Sequence, residues 1–302
     1  MNKRTRGDAI EKLEGLPHES FPSLYKNASL TSKNAQQSFF LGLGFSLVSL
    51  LMATILSIIN LPLAGYALAQ TAILLASVGL TIFLSWVQPQ RTWYAARALS
   101  ESIKTITWRY VMRAEPYNGK YEVATTHLVA NIRKILQDNR VLTKILAATD
   151  GDEISARMTE IRKLPLATRR ELYEKFRVND QLNWYRSKAR SNAGSSTLWY
   201  SFLIIIQVIA IVFALARIWY PFTEIWPTDF FVAAASCAMT WLQTKRFQEL
   251  AASYSLTAHD IGLLKAQLND AKTESKFSAF VGDAENAFSR EHTQWRARRD
   301  VE

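Results

Sequence analysis

The side chains best suited to proton transfer near neutral pH, or to metal ligation, are four histidines: His18, His127, His259 and His292. They are scattered, and no two stand at a metal-ligand spacing. Glu291 directly precedes His292, which has the makings of an acid–base pair, yet no nucleophile or second carboxylate accompanies it in sequence. The pair reads as part of a solvated helix face. The acidic run Asp150-Gly151-Asp152-Glu153 is shorter than a calcium loop and lacks its ligand order, which leaves a turn and a helix cap. Cys237 sits in an apolar segment and reads as packing. Gly194-Ser195-Ser196 lacks the lysine of a phosphate loop, and no Gly-x-Ser-x-Gly elbow exists. These residues predict no enzyme, no metal and no cofactor.

Two further sets have helical spacing. Ser77, Thr81 and Ser85 recur every four residues and share one helix face inside an apolar stretch. Such hydroxyls either line an aqueous path as pore-facing groups or bond to the carbonyl one turn back. Arg97, Glu101 and Lys104 fall at i, i+4 and i+7, so their charges pair along one face.

The elements that position these groups follow from residues 39–88, a run without Asp, Glu, Lys, Arg or His. A short break at Asn60-Leu61-Pro62 divides it into two segments, each about the ~20 residues that cross a bilayer core as a helix. A soluble helix needs a polar face, so this stretch predicts a transmembrane hairpin. Gly42, Gly44, Ser46 and Ser49 allow close helix approach in lipid, and Trp86 sits where an interfacial aromatic belongs. A second hairpin is predicted over residues 199–220 and 227–242. Trp199, Tyr200 and Trp241 mark one membrane edge; Trp219, Tyr220 and Trp226 mark the other. Arg217 is close enough to that edge to snorkel. The small residues Ala233, Ala234, Ala235 and Ser236 suit close packing.

The remainder is polar. Residues 1–37 carry six Lys/Arg and four Asp/Glu and read as a polar tail, with Ile10, Leu13 and Leu16 forming a short amphipathic turn before Pro17. Residues 91–198 carry 20 Lys/Arg against 11 Asp/Glu, so nearly all of the net charge of +10 lies there. Leu99, Ile103, Ile106 and Tyr110 make one apolar helix stripe, ended by Pro116. Leu128, Ile132, Ile135, Leu142 and Leu146 make another, and further helices flank Pro165. Beyond residue 243, Phe247, Leu250, Tyr254, Ile261, Leu264 and Leu268 form a heptad-like seam that resumes at Phe277, Val281, Ala284, Phe288 and Trp295. That seam needs a partner, either the basic helices or another copy of the chain.

Charge sets the topology. The two short connections hold only Glu224, while Arg91, Arg97, Arg186, Lys188, Arg190, Lys245 and Arg246 border the other face. The positive-inside rule therefore places both termini and the basic block in the cytoplasm. A basic collar facing the membrane explains the charge without nucleic acid. One cysteine permits no intrachain disulfide.

Two stretches carry a family resemblance. One is Trp93-Tyr94-x-x-Arg97-Ala98-x-x-Glu101-Ser102-x-Lys104, continuing through Trp108-Arg109-Tyr110 and Arg113-Ala114-x-Pro116-Tyr117, directly after a hairpin. The other is Asp180-Gln181-x-x-Trp184-Tyr185-x-x-Lys188-Ala189-x-x-Asn192, directly before one. The chain resembles the SLATT domains, as two units in one polypeptide, and Glu285, Glu291, His292 and Trp295 fit that family's tail. The resemblance implies a bacterial two-helix membrane effector module of the inner membrane. Such modules are thought to form pores in antiphage or conflict responses, beside nucleotide-signal synthases or sensors. It brings no catalytic residues, and the motif residues either hold helices together or contact a ligand.

The expectation is an all-α chain: four transmembrane helices in two hairpins, a helical cytoplasmic bundle and a coiled-coil-like C-terminal helix. Its segments are 1–37 (tail), 38–117 (first hairpin and cytoplasmic helix), 118–175 (cytoplasmic helices) and 176–302 (second hairpin with flanking helices). The expected partners are the lipid bilayer, further copies of the chain and a nucleotide-signal or sensor protein. The alternative is a membrane-anchored scaffold whose basic domain recruits a cytoplasmic partner.

Overall fold

A computed structural model describes residues 15–59, 61–139, 142 and 151–299, with side chains through residue 289. Ile10, Leu13, Leu146, Asp150 and the side chains of Glu291, His292 and Trp295 lie outside the described residues. Among the described residues there is no strand. The helices in order are α1 (Ser23–Ile59), α2 (Ala64–Val87), α3 (Pro89–Met112), α4 (Tyr121–Asp138), α5 (Ala156–Lys163), α6 (Leu166–Tyr173), α7 (Asn179–Trp219), α8 (Thr228–Lys245), α9 (Phe247–Gln267) and α10 (Glu274–Arg299). A π-turn, Glu174–Val178, joins α6 to α7.

Local chemistry explains the helix ends. Gln88 adopts φ 47° and its N–H bonds to the Leu84 carbonyl at 3.2 Å; Pro89 then opens α3 at a position where its missing N–H costs nothing. The same joint recurs after α8, where Arg246 has φ 50° and its N–H bonds to the Leu242 carbonyl at 2.9 Å before α9 begins. Ser155 caps α5, its Oγ accepting from the Met158 N–H at 3.2 Å. The acidic run was expected to supply this cap; Ser155 takes the role, while the Glu153 carboxylate accepts a hydrogen bond from Ser23 Oγ at the start of α1.

The helices fall into two units, each discontinuous in sequence. One comprises Met1–Asn34, Arg91–Lys188 and Ser253–Glu302; the other comprises Ala35–Gln90 and Ala189–Ala252. The expected polar tail is not a separate segment: α1 starts at Ser23, and Phe21, Tyr25 and Ala28 are buried in the first unit. Its core also takes Leu99, Ile103 and Tyr110 from α3, Leu128 and Ile132 from α4, and Phe277, Val281 and Phe288 from α10. The C-terminal seam is therefore covered within the chain, with Ile261 and Leu268 buried in the same core. A 3-10 turn at Leu268–Asp270 breaks it, just before the pattern resumes in α10.

The second unit packs α1 against α2 and α7 against α8. Gln70 Nε2 donates to the Ala53 carbonyl at 3.3 Å, Ser46 Oγ lies 3.4 Å from Ser77 Oγ, and a Cβ at Gly42 would come within 3.0 Å of Leu84 Cδ2. Phe213 stacks on Phe231 at 5.5 Å, and Leu203, Ala238 and Leu242 form a small core. Among the described residues three helical runs are long and apolar enough to cross a membrane: Ser23–Ile59, Ala64–Met112 and Leu166–Trp219. The fourth expected span, α8, is not among them; it has 18 residues, with Asp229 in its first turn and Lys245 in its last. Only 11, 6 and 11 % of the three apolar windows is buried by the chain itself.

Candidate functional site

The first unit places a polar and aromatic cluster where α3, the α6–α7 joint and α10 meet. Its centre is a buried ion pair. Arg177, on the π-turn, donates from Nε to Glu285 Oε1 at 2.8 Å and from Nη2 to Oε2 at 2.6 Å. Tyr173 donates its hydroxyl to the same Oε1 at 3.0 Å. Arg177 is 1 % exposed and Glu285 0 %. Two donors from neighbouring turns thus converge on one carboxylate, and bidentate geometry offsets much of the desolvation such a pair incurs. Burial alone would lower the Arg177 guanidinium; Glu285 outweighs it, and the net shift is upward. Burial and then the Glu285 charge hold the Tyr173 phenol well above its ordinary value. Arg177 also lies 4.8 Å over the Phe288 ring.

The first motif lies alongside. Arg97 and Glu101 are 3.9 Å apart. Lys104, three residues on and half-buried, is shifted downward by burial first and then by Arg177; Glu101, Glu285 and Asp180 pull it back. Trp108 is 3 % exposed, meets the Tyr173 ring at 5.8 Å, and its Nε1 has no hydrogen-bond partner among the described residues. Arg109 Nη2 donates to the Gly282 carbonyl at 3.1 Å and to Asn286 Oδ1 at 2.7 Å, fastening α3 to α10. Trp93 stacks on Tyr94 at 4.6 Å, and its carbonyl accepts from Ser32 Oγ at 3.4 Å. Arg113 is exposed at the left-handed end of α3, outside the cluster.

The second motif supplies the facing wall. Trp184 has Arg97 and Lys188 each 5.9 Å from its ring centroid, and it meets Tyr185 at 4.9 Å and Tyr254 at 5.5 Å. Gln181, buried, donates to Asp180 Oδ2 at 3.4 Å. Asn192 belongs to the second unit. In that unit Ser77 is buried against Ser46, Thr81 Oγ1 donates to the Ser77 carbonyl at 3.0 Å, and Ser85 is exposed.

Sequence reading missed the buried arginines. Arg162 donates to the carbonyls of Tyr110, Tyr117 (2.7 Å) and Gly119 (3.1 Å). Arg169 donates to the carbonyls of Leu164 (3.0 Å) and Met112 (2.6 Å) and pairs with Glu274. Both are buried, so part of the basic block closes the loop after α3 rather than forming a collar toward the membrane. Pro165 separates Arg162 on α5 from Arg169 on α6, and Arg177 lies on the π-turn, so no spacing along one helix marks the three in the sequence. Among the described residues no cluster of His, Cys, Asp and Glu could hold a metal. As arranged, the site is a charge-paired latch joining helices.

Fold and site together define an all-α protein that has apolar helices of membrane-crossing length and a charge-stitched helical core. Residues 22–170 match SMODS and SLOG-associating 2TM effector domain 3, and residues 173–295 match SMODS and SLOG-associating 2TM effector domain 1. The chain belongs to the SLATT proteins and carries two such domains in tandem. No curated protein and no solved structure matches it. The two domains share the first unit's core: Trp108 meets Tyr173, Arg97 lies over Trp184, and Arg169 pairs with Glu274, each contact joining one matched segment to the other.

Proposed function

We propose that the chain is a non-enzymatic membrane effector of bacterial conflict response. It crosses the inner membrane four times, as two hairpins with both termini cytoplasmic, and opens a pore as an oligomer when a cytoplasmic signal or sensor protein acts on the first unit. The observation that carries this reading is the apolar surface of the long helices, of which the chain itself covers about a tenth. Apolar faces of that extent require lipid or other copies to cover them. Two matched domains, each described as 2TM, support four spans, with α8 as the short one. Its modest length suits a helix whose ends, Asp229 and Lys245, reach the two interfaces.

Dye release from vesicles containing the purified chain tests the pore directly, alongside its mass by light scattering in detergent. A closed oligomer that releases dye in at least one state agrees with the proposal. A monomer that never releases dye overturns it, because four helices enclose no channel.

One observation favours a second reading, a membrane-anchored scaffold that recruits a cytoplasmic partner. Ser77 and Thr81 already have partners inside the chain, Ser77 buried against Ser46 and Thr81 bonded one turn back, although Thr81 and Ser85 are both exposed. A face so satisfied has little left to offer water.

A further inference from the structure

In the second unit two aromatic rings from two helices face one ammonium, and a third ring from another helix packs on one of them. Lys245 Nζ, at the end of α8, lies 3.3 Å from the Phe40 ring centroid and 4.8 Å from that of Trp241. Trp241 meets Phe40 at 5.9 Å and Trp199 at 6.0 Å. Phe40 opens the apolar part of α1, Trp199 opens that of α7, and Trp241 stands one turn before Lys245. All four positions therefore mark the level at which apolar helix gives way to polar chain.

The ammonium is half-buried, and among the described residues it has no carboxylate and no hydrogen-bond acceptor; its contacts are the two ring faces. The neighbouring Arg246 is different, since Glu249 stands 3.6 Å from it. Ring faces hold a cation in place but offer no lone-pair oxygen, and an ammonium carries three N–H donors. The box thus fixes a positive charge at an interface and leaves donors for an external oxygen anion. The joint after α2 has the same backbone, yet the residue before its left-handed Gln88 is Val87, which is uncharged and exposed. The charge of the box comes from the second hairpin, while Phe40 on α1 supplies one of its rings.

We infer that Phe40, Trp199, Trp241 and Lys245 form a binding site for the phosphodiester headgroup of an anionic phospholipid. The aromatic bodies suit the headgroup level and the ammonium suits the phosphate. A lipid fits better than a free anion, because the rings that border the phosphate also face the start of the acyl region. This inference rests on the membrane reading above.

The test titrates the full chain in detergent with phosphatidylglycerol or phosphatidylcholine and counts retained lipid by native mass spectrometry. The wild type should retain phosphatidylglycerol preferentially, and Lys245→Met should weaken that preference about fivefold, the effect of one lysine near an anionic surface. Arg190→Gln removes an equal charge from the same unit and should leave the preference intact. Phe40→Leu keeps the charge but loses the ring and should weaken the preference about twofold. Lys245→Met retaining phosphatidylglycerol like the wild type overturns the site, as does an equal loss in Arg190→Gln. If Lys245→Met does not fold, an unchanged preference in Phe40→Leu overturns it instead. Displacement of the lipid by inorganic phosphate would show a free-anion site and overturn the lipid assignment. Flotation with equimolar phosphatidylcholine–phosphatidylglycerol vesicles separates the two claims: a wild type that does not float defeats the membrane reading itself.

Discussion

The two units are built inside out with respect to each other. The first buries charge: Arg162, Arg169, Arg177 and Glu285 lie inside it, each hydrogen-bonded, with Arg177 Nη1 left without a partner among the described residues. The second exposes apolar surface: Phe45, Val48, Leu75, Val208 and Ile211 face outward, and its small core is Leu203, Ala238 and Leu242. Each arrangement makes sense only in its own solvent. In water a core can hold an ion pair if its geometry is good, whereas in lipid an outward Leu or Val meets a medium as apolar as itself. Burial is thus a poor guide to polarity across the whole chain and a good one within each unit.

The largest way to break this comparison is to unpair the buried charge. Glu285→Ala leaves the Arg177 guanidinium inside the core without its carboxylate, and a loss of about 3–5 kcal/mol is expected. Chemical denaturation in detergent measures it, and a double change with Arg177→Met should recover most of the loss. A single-variant loss under about 1 kcal/mol would mean that the pair is solvated and the first unit is ordinary.

Next in size is one substitution placed in both units. Val48→Arg puts a charge on an exposed face in the middle of the apolar part of α1 and should impair membrane insertion by about 2.5–3.5 kcal/mol. Val129→Arg, on the exposed face of α4, should change stability by no more than about 0.5 kcal/mol. Equal effects in a glycosylation-tag insertion assay and in thermal melts would erase the distinction between the units.

Tyr173→Phe sharpens the picture at smaller cost. It removes one hydrogen bond to a charged acceptor, about 1.5 kcal/mol. It should also change the alkaline limb. The folded Tyr173 stays protonated above its ordinary value of 10.0, while the unfolded phenol ionises there, so this residue's contribution is complete below pH 10.0 and is lost as pH rises past it. Tyr173→Phe should therefore show a shallower stability loss above that pH, read from melts at increasing pH. A small effect is expected at Gly42→Ala too. Leu84 Cδ2 must give by a few tenths of an ångström, and as the end of a flexible side chain it can, so a change under about 1 kcal/mol is expected in thermal melts. A larger loss would mean that α1 and α2 fit rigidly.

By itself the sequence determined the helical class, the apolar stretches and the places where helices stop, because each depends on residues within a turn or two. The 3–4 spacing of Leu99, Ile103 and Tyr110 predicts the face that is buried, whereas the left-handed Gln88 that ends one helix before Pro89 starts the next belongs to the structure. The two motif stretches were legible as well, and residue-by-residue resemblance marked the family that the matched domains bear out. The tertiary structure alone decided which charges are inside. Glu285 stands 108 positions from Arg177, and no local rule pairs them. The same holds for Arg162 and Arg169, which look like any other members of a basic block until the loop after α3 folds onto them. Lys245 was legible as an interfacial charge, but its aromatic box draws rings from helices nearly two hundred residues apart in the chain. Helical periodicity acts along the backbone and is written in neighbouring residues. Charge pairing acts through space, so it is settled only when distant segments pack.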